Sequence, residues 1–244
     1  MNDTVASLAG EIVAVPELGR AERAAMLELM SRYFTRLDPR QFHRDLDVKP
    51  WAILLRTPDG AVAGFSTLDI MEVRVDGRLV RAVYSGDTIT DRGHWGTSAL
   101  PRAFIRFVAK HTGVDRDGAE WFWFYVCKGF RTYRFLPVFY RSFFPHPRSA
   151  TPPFEQTVLN RLAAVRFGAT YDPASGVVRV PEDYTLRRGI GDVTPQRERD
   201  PFIHFFAERN PGWPRGEELV CIAALTRSNL NARAKRWLNE ESRS

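Results

Sequence analysis

The chain has 244 residues, 44% of them hydrophobic, which is enough to bury a full core as one domain, or one domain with an elaboration. No run of about 18 apolar residues exists, which excludes a membrane-spanning helix, and no basic stretch precedes the apolar residues of the N-terminus, so no secretory signal is expected. A formal charge of +6 and an isoelectric point near 9.6 suit a polyanionic partner, whether a phosphorylated ligand, an acidic carrier protein or a nucleic acid.

Residues 11–15 predict a short first strand ahead of Pro16. Over 20–34, Ala24, Leu27, Met30, Tyr33 and Phe34 share one side of an amphipathic helix. Asp38 followed by Pro39 has the form of an N-cap with proline at the first helical position, opening a second helix to about Leu46. Pro50 ends it, and residues 51–56 form a compact apolar strand. Thr57-Pro58-Asp59-Gly60 is a turn, so residues 61–75 return antiparallel. Asp76-Gly77 turns the chain again, into a strand that ends over 82–90.

Residues 91–97 carry two glycines among polar side chains and read as a loop. From Ser98, Leu100, Phe104, Phe107, Val108 and His111 recur at helical spacing, and Pro101 suits a first turn. A strand, a glycine-containing loop and a helix N-terminus suit phosphate, because free amides and the positive helix end face the same place.

Residues 120–127 are almost continuously apolar and aromatic, as a strand buried on both faces beside a parallel neighbour requires. A helical crossover would make that strand parallel and adjacent to 82–90. A short helix follows Lys128-Gly129 and ends before Pro145, with Pro137 either in its first turn or bending it. Residues 145–153 hold four prolines and predict an irregular connection. A helix over 154–167 closes at Gly168; a small hairpin joins 169–171 to 177–180. Asp200-Pro201 opens another helix, 218–225 is the last strand, and 229–239 a closing helix. Residues 1–150 form the core and 151–244 an elaboration completing the same domain.

Cys127 and Cys221 lie in apolar runs, and two buried thiols fit a reducing cytoplasm better than a disulfide framework. Ser85, Asp87 and His94 have the residue types of a hydrolase triad without the Gly-x-Ser-x-Gly elbow. The five histidines have no metal-ligand spacing, so no metal is expected.

Arg92-Gly93-His94-Trp95-Gly96-Thr97-Ser98-Ala99-Leu100 resembles the acyl-donor motif of the GNAT superfamily of N-acetyltransferases. There a strand runs into an Arg/Gln-x-x-Gly-x-Gly/Ala loop, and the following helix holds the coenzyme A pyrophosphate. Trp95 stands where the first motif glycine is expected, and Gly96 comes one place late. The element order is also the GNAT order, and Phe139-Tyr140-Arg141-Ser142-Phe143-Phe144 sits where the family carries Leu-Tyr-Glu-Lys-Leu-Gly-Phe.

The resemblance implies an α/β (α+β) fold: a mixed, mostly antiparallel central sheet with helices on both faces and a C-terminal elaboration. It implies an acyltransferase moving an acyl group from acyl-CoA, or an acyl-carrier protein, to an amine of a small molecule, amino acid or peptide. Ile89 and Thr90 would pair with the pantetheine amides, and Arg92, Gly93, His94, Trp95, Gly96, Thr97 and Ser98 would hold the pyrophosphate. Tyr140 matches the family's tyrosine beside the leaving thiolate, with Tyr133 its rival. As base the residues favour Asp87, because a carboxylate in a strand must be solvated, paired or used, with Glu72 and Glu120 behind it. A catalytically inactive binding module on the same fold, and a basic nucleic-acid or protein-interaction domain, stand as the alternatives, nucleic acid being the partner the residues favour least.

Overall fold

The computed structural model describes residues 8–114, 116–180 and 184–241; residues 1–7, read above for a secretory signal, lie outside them. The first strand, β1 (Ala9–Ala14), is followed by α1 (Arg20–Tyr33), a two-residue strand β2 (Phe34–Thr35) and α2 (Pro39–Asp47). Asp38 caps α2 as its sequence implies, its carboxylate accepting from the Arg40 amide at 2.9 Å. Three strands then meander: β3 (Trp51–Arg56), β4 (Val62–Val75) and β5 (Arg78–Thr90). After the loop come α3 (Ala99–His111) and β6 (Glu120–Cys127).

The predicted helix after Lys128-Gly129 is two short pieces, α4 (Phe130–Tyr133) and α5 (Phe135–Phe139). Pro137 sits in the first turn of α5, where its missing N–H costs nothing. Next are α6 (Pro153–Phe167), β7 (Tyr171–Asp172), β8 (Val177–Val178), β9 (Thr185–Leu186), α7 (Pro201–Arg209), β10 (Glu218–Ala224) and α8 (Ala232–Glu241). The last helix starts three residues later than its periodicity predicts. Asn229 is instead a buried bracket, its side chain bonding the Ser142 amide and carbonyl and the Ala224 carbonyl.

Eight strands form one sheet in the order β1-β3-β4-β5-β6-β10-β8-β7, and β5 with β6 is its parallel pair. The crossover through α3 makes them parallel and adjacent, as predicted, and the mixed, mostly antiparallel sheet is borne out. Helices cover both faces. On one, α3, α4, α5, α7 and α8 pack over Trp121, Trp123 and Tyr125; on the other, α1 and α2 cover Leu54 and Phe65, and α6 covers Tyr84, Phe122 and Phe124. Both sets of rings on β6 are thereby buried, which is why its sequence does not alternate.

Close approach of α3 to the sheet depends on one glycine. A Cβ on Gly10 of β1 would stand 2.6 Å from Ala103 Cβ and 3.3 Å from the Ala99 carbonyl. Gly10→Ala is therefore expected to cost about 1–3 kcal/mol by overpacking. Denaturant unfolding reads that loss, and a neutral result would show that α3 can back away freely.

Candidate active site

The site is built where β5 and β6 stop pairing. Their ladder runs from Val80 opposite Glu120 to Ser85 opposite Tyr125 and ends there, although β5 continues to Thr90. Trp123 pins the last rung, its indole N–H donating to Ser85 Oγ at 2.8 Å. One residue beyond, β5 bulges: Ser66 of β4 pairs with Thr88 and Leu68 with Ser85, so Thr67 faces both Gly86 and Asp87. Glycine is required at that point, because a Cβ on Gly86 would lie 2.5 Å from Thr67 Oγ1. The bulge turns β5 away from β6 and leaves its far end without a strand partner on that side.

A cleft of about 1000 Å³ occupies the gap. It runs from the 94–98 loop past the start of α3 and the bulge to the C-terminal ends of α2 and α6. Its two ends differ in chemistry.

The first end is basic. The amides of Gly96, Ser98 and Leu100 have no acceptor among the described residues, and they stand at the N-terminus of the 13-residue helix α3. Gly96 reaches this geometry with φ of 86°. The other loop amides are used internally: Tyr33 Oη accepts from Arg92, the Asp91 carboxylate from Gly93, and the Asp91, Arg92 and His94 carbonyls from His94, Trp95 and Thr97. Arg131 lies with its guanidinium 3.8 Å from the Trp95 ring centroid. Burial, then repulsion from Arg197, Arg92 and Arg134, pulls the Arg131 guanidinium below its ordinary value. Four arginines thus converge here, with Arg134 paired to Asp200 at 3.3 Å. His94 Nδ1 is buried without a hydrogen-bond partner.

The second end mixes signs. Asp87 lines the cleft and accepts from the Tyr184 hydroxyl at 2.6 Å. Lys128 Nζ sits 3.6 Å from the Tyr184 ring centroid and 3.6 Å from a Glu218 carboxylate oxygen. Lys49 and Arg166 approach from α2 and α6. Over this end passes the segment carrying β9, which pairs with β2; the Arg187 amide bonds the Tyr33 carbonyl at 2.8 Å, and Arg131 Nε bonds Ile190 O at 3.4 Å.

Of the residues singled out in the sequence, Asp87, Ile89, Thr90, His94, Trp95, Gly96, Thr97 and Ser98 line this cleft together. Trp95 borders the cleft without closing it: its indole N–H donates to Thr90 O at 2.9 Å, and the cleft continues from Ser98 to Asp87. Arg92 and Gly93 lie at the exposed rim, outside the lining. Tyr140 also lies outside it. Its ring packs 5.5 Å from Trp123 and lines an adjoining apolar cavity of about 30 Å³, which shares Thr88, Leu100 and Phe139 with the cleft. Burial pushes its phenol well above the ordinary value, so it keeps its proton. Tyr133 is turned away, donating to the Pro145 carbonyl at 2.8 Å. Glu72 and Glu120 bond Arg81 and Arg78 at the opposite end of β5.

Sequence reasoning did not single out Lys49, Arg131, Arg166 or Tyr184 for this site. Lys49 reads as the tail of a helix and Tyr184 as part of an unassigned stretch. Arg131 lies in a basic, aromatic run at 128–134, the one local signal among them.

No family model matches the chain, and no curated protein matches it. Solved structures do. One is a conserved protein of unknown function from Enterococcus faecalis, described as a probable N-acyltransferase, with 13% identity over 52% of this chain and 31% of that one, at a TM-score of 0.38. The chain thus spans less than a third of that structure's length. A mutant AtaT toxin bound to the C-terminus of its antitoxin AtaR and to acetyl-CoA matches at 21% identity over 55% of this chain and 85% of that one, with a TM-score of 0.35. Arabidopsis thaliana NAA60 in complex with a bisubstrate analogue matches at 12% over 55% and 86%, with a TM-score of 0.40.

The fold is a mixed, mostly antiparallel sheet with helices on both faces, and it resembles the GNAT arrangement that the sequence pointed to. The GNAT-like features seen in this chain are its own: the element order, the parted parallel pair and the loop leading into α3. No group of three or more metal-ligating side chains occurs among the described residues, nor any helix long and apolar enough to cross a membrane.

Proposed function

We propose that the chain is an N-acyltransferase that moves an acyl group from a coenzyme A thioester to an amine. The observation that carries this reading is the continuous path from the unpartnered amides of Gly96, Ser98 and Leu100, through the gap between β5 and β6, to Asp87. Those amides and the arginines around Arg131 fit a diphosphate, and the exposed edge of β5 offers backbone groups to the amides of a pantetheine arm. Coenzyme A supplies an activated acyl thioester; the chain's own residues do the rest.

In this reading Asp87 accepts a proton from the incoming ammonium, directly or through a water, and the freed nitrogen attacks the thioester carbonyl. The C–N bond forms, the nitrogen gives up its second proton to water as the C–S bond breaks, and the departing thiolate takes a proton from solvent. Tyr184 holds the Asp87 carboxylate in place through its hydroxyl. Tyr140, packed against Trp123 beside the cleft, is given no proton transfer in this reading.

Coenzyme A at about 100 times its Kd should raise stability by about 2.7 kcal/mol through mass action, seen as a higher melting temperature. Arg131→Ala should weaken that binding by about 10-fold, as loss of one charge-assisted contact to phosphate implies. Thiol release from acetyl-, octanoyl- and palmitoyl-CoA with a panel of amines then reads turnover, and an acyl-carrier-protein thioester is tested beside them. Binding with no turnover for any pair would favour the inactive module. Absence of binding, with steeply salt-dependent DNA binding instead, would favour the nucleic-acid alternative.

A further inference from the structure

Lys49 and Arg166 line the same cleft as Asp87. Lys49 follows α2 and is only 5% exposed, yet its ammonium makes a single hydrogen bond, to Asp45 O at 3.0 Å. Arg166 comes from α6 on the other side of the cleft. Both are held against Tyr84, Lys49 Nζ 5.9 Å and Arg166 Cζ 4.6 Å from its ring centroid. Neither forms an ion pair with a described carboxylate within 4.0 Å. Asp45, Asp69 and Asp87 attract the Lys49 ammonium from farther off, whereas burial and then Arg166 act against its charge. A buried ammonium and a guanidinium held against the same ring, with spare donors on each, suit an anion lodged between them.

The position says what kind of anion. Lys49 Cε would lie 3.4 Å from a Cβ on Gly86, so the side chain runs against the bulge itself, one residue from Asp87. An amine poised for attack beside Asp87 would therefore carry its negative group close to the nitrogen. A carboxylate one carbon away fits, and a phosphonate shares that chemistry.

We propose that the acceptor is an amine with an anionic group next to its reacting nitrogen, an α-amino acid being the simplest form, and that Lys49 and Arg166 bind that group. This inference rests on the acyltransferase reading above.

The test compares matched acceptors in the thiol-release assay: L-phenylalanine with 2-phenylethylamine, L-methionine with 3-(methylthio)propylamine, and L-alanine with 1-aminoethylphosphonate and ethylamine. In each set the anionic acceptor should be preferred over the plain amine by about 10- to 100-fold in kcat/KM, chiefly through a lower KM, as charge-assisted hydrogen bonds provide. Lys49→Met and, separately, Arg166→Gln should collapse that ratio toward one; Arg166 is half-exposed, so its variant keeps the test open should Lys49→Met fail to fold. The phosphonate arm tells whether the site is matched to a planar or a tetrahedral anion. Turnover of amines with no preference for the anionic member would overturn the inference while leaving the acyltransferase standing. An unchanged ratio in both variants would also overturn it. No turnover with any acceptor, together with no stabilisation by coenzyme A, would remove the underlying reading as well.

Discussion

If Asp87 is the base, Asp87→Asn is expected to lower kcat/KM by about 10²–10⁴-fold, the range for removing a positioned general base. The substitution keeps the shape of the side chain and an oxygen able to accept from the Tyr184 hydroxyl, so the bulge and the strand above it should stand unchanged. What is lost is the ability to take a proton from the ammonium. The discriminating measurement is the pH–rate profile: residual activity of the variant should climb with hydroxide concentration, as an amine that must lose its proton to solvent does. Tyr184→Phe should cost less, about 3- to 10-fold, because it frees the carboxylate without removing it. If Asp87→Asn keeps a third or more of the activity with coenzyme A binding intact, the proton leaves by another route, and Asp87 is a structural carboxylate of the bulge.

The second large effect is on stability. Phe124→Ala should cost about 3–5 kcal/mol, the range for emptying a buried aromatic site. Phe124 is fully buried on β6, with Tyr84 at 5.6 Å and Phe167 at 6.3 Å between ring centroids. It fills the space between the middle of the sheet and α6, and neither strand backbone can collapse into the void because both are laddered to neighbours. At this chain length about 1 kcal/mol corresponds to about 2–4 °C, so a fall of about 10 °C in Tm is expected. Phe124→Leu should lose far less. Chemical denaturation with an unchanged m-value would show that the native state lost stability and the unfolded state did not change. A loss under about 1 kcal/mol would mean that α6 does not seal this face of the sheet. Tyr84 leans on the same ring, so the variant should also blunt any preference for anionic acceptors.

How much of this was legible beforehand differs from element to element. The strand at β6 announces itself, because only a position buried on both faces tolerates six successive apolar residues from Trp121 to Val126. Asp38-Pro39 and Thr57-Pro58-Asp59-Gly60 act through local chemistry, and both placed an element boundary correctly. The loop residues from His94 to Ser98 were legible for the same reason: a glycine-bearing connection between a strand and a helix has few places to go.

The end of the cleft around Asp87 was not legible, for a physical reason. Its residues arrive from four distant parts of the chain, Lys49, Asp87, Arg166 and Tyr184, and no local spacing records that meeting. β9 is two residues long and exists only because β2 is there to pair with it. Tyr140 sits at the position a family pattern points to, and the short α5 and the bridge from Tyr140 to Leu230 direct its ring into the packing against Trp123, beside the cleft.

The single extra residue in β5 has a further consequence, one of parity. Val83 and Ser85 look toward α3, and uninterrupted alternation would send Ile89 the same way. Ile89 is instead found with Leu54 and Phe65 under α1 and α2, while Thr88 shares the α3 side with Ser66 through a 2.8 Å hydroxyl contact. Any change of one residue in length between 85 and 88 would therefore exchange greasy for hydroxylic side chains over the whole remainder of the strand. A change of two would leave them where they are. Chain length across that step is thus held to steps of two, however freely the side chains themselves vary.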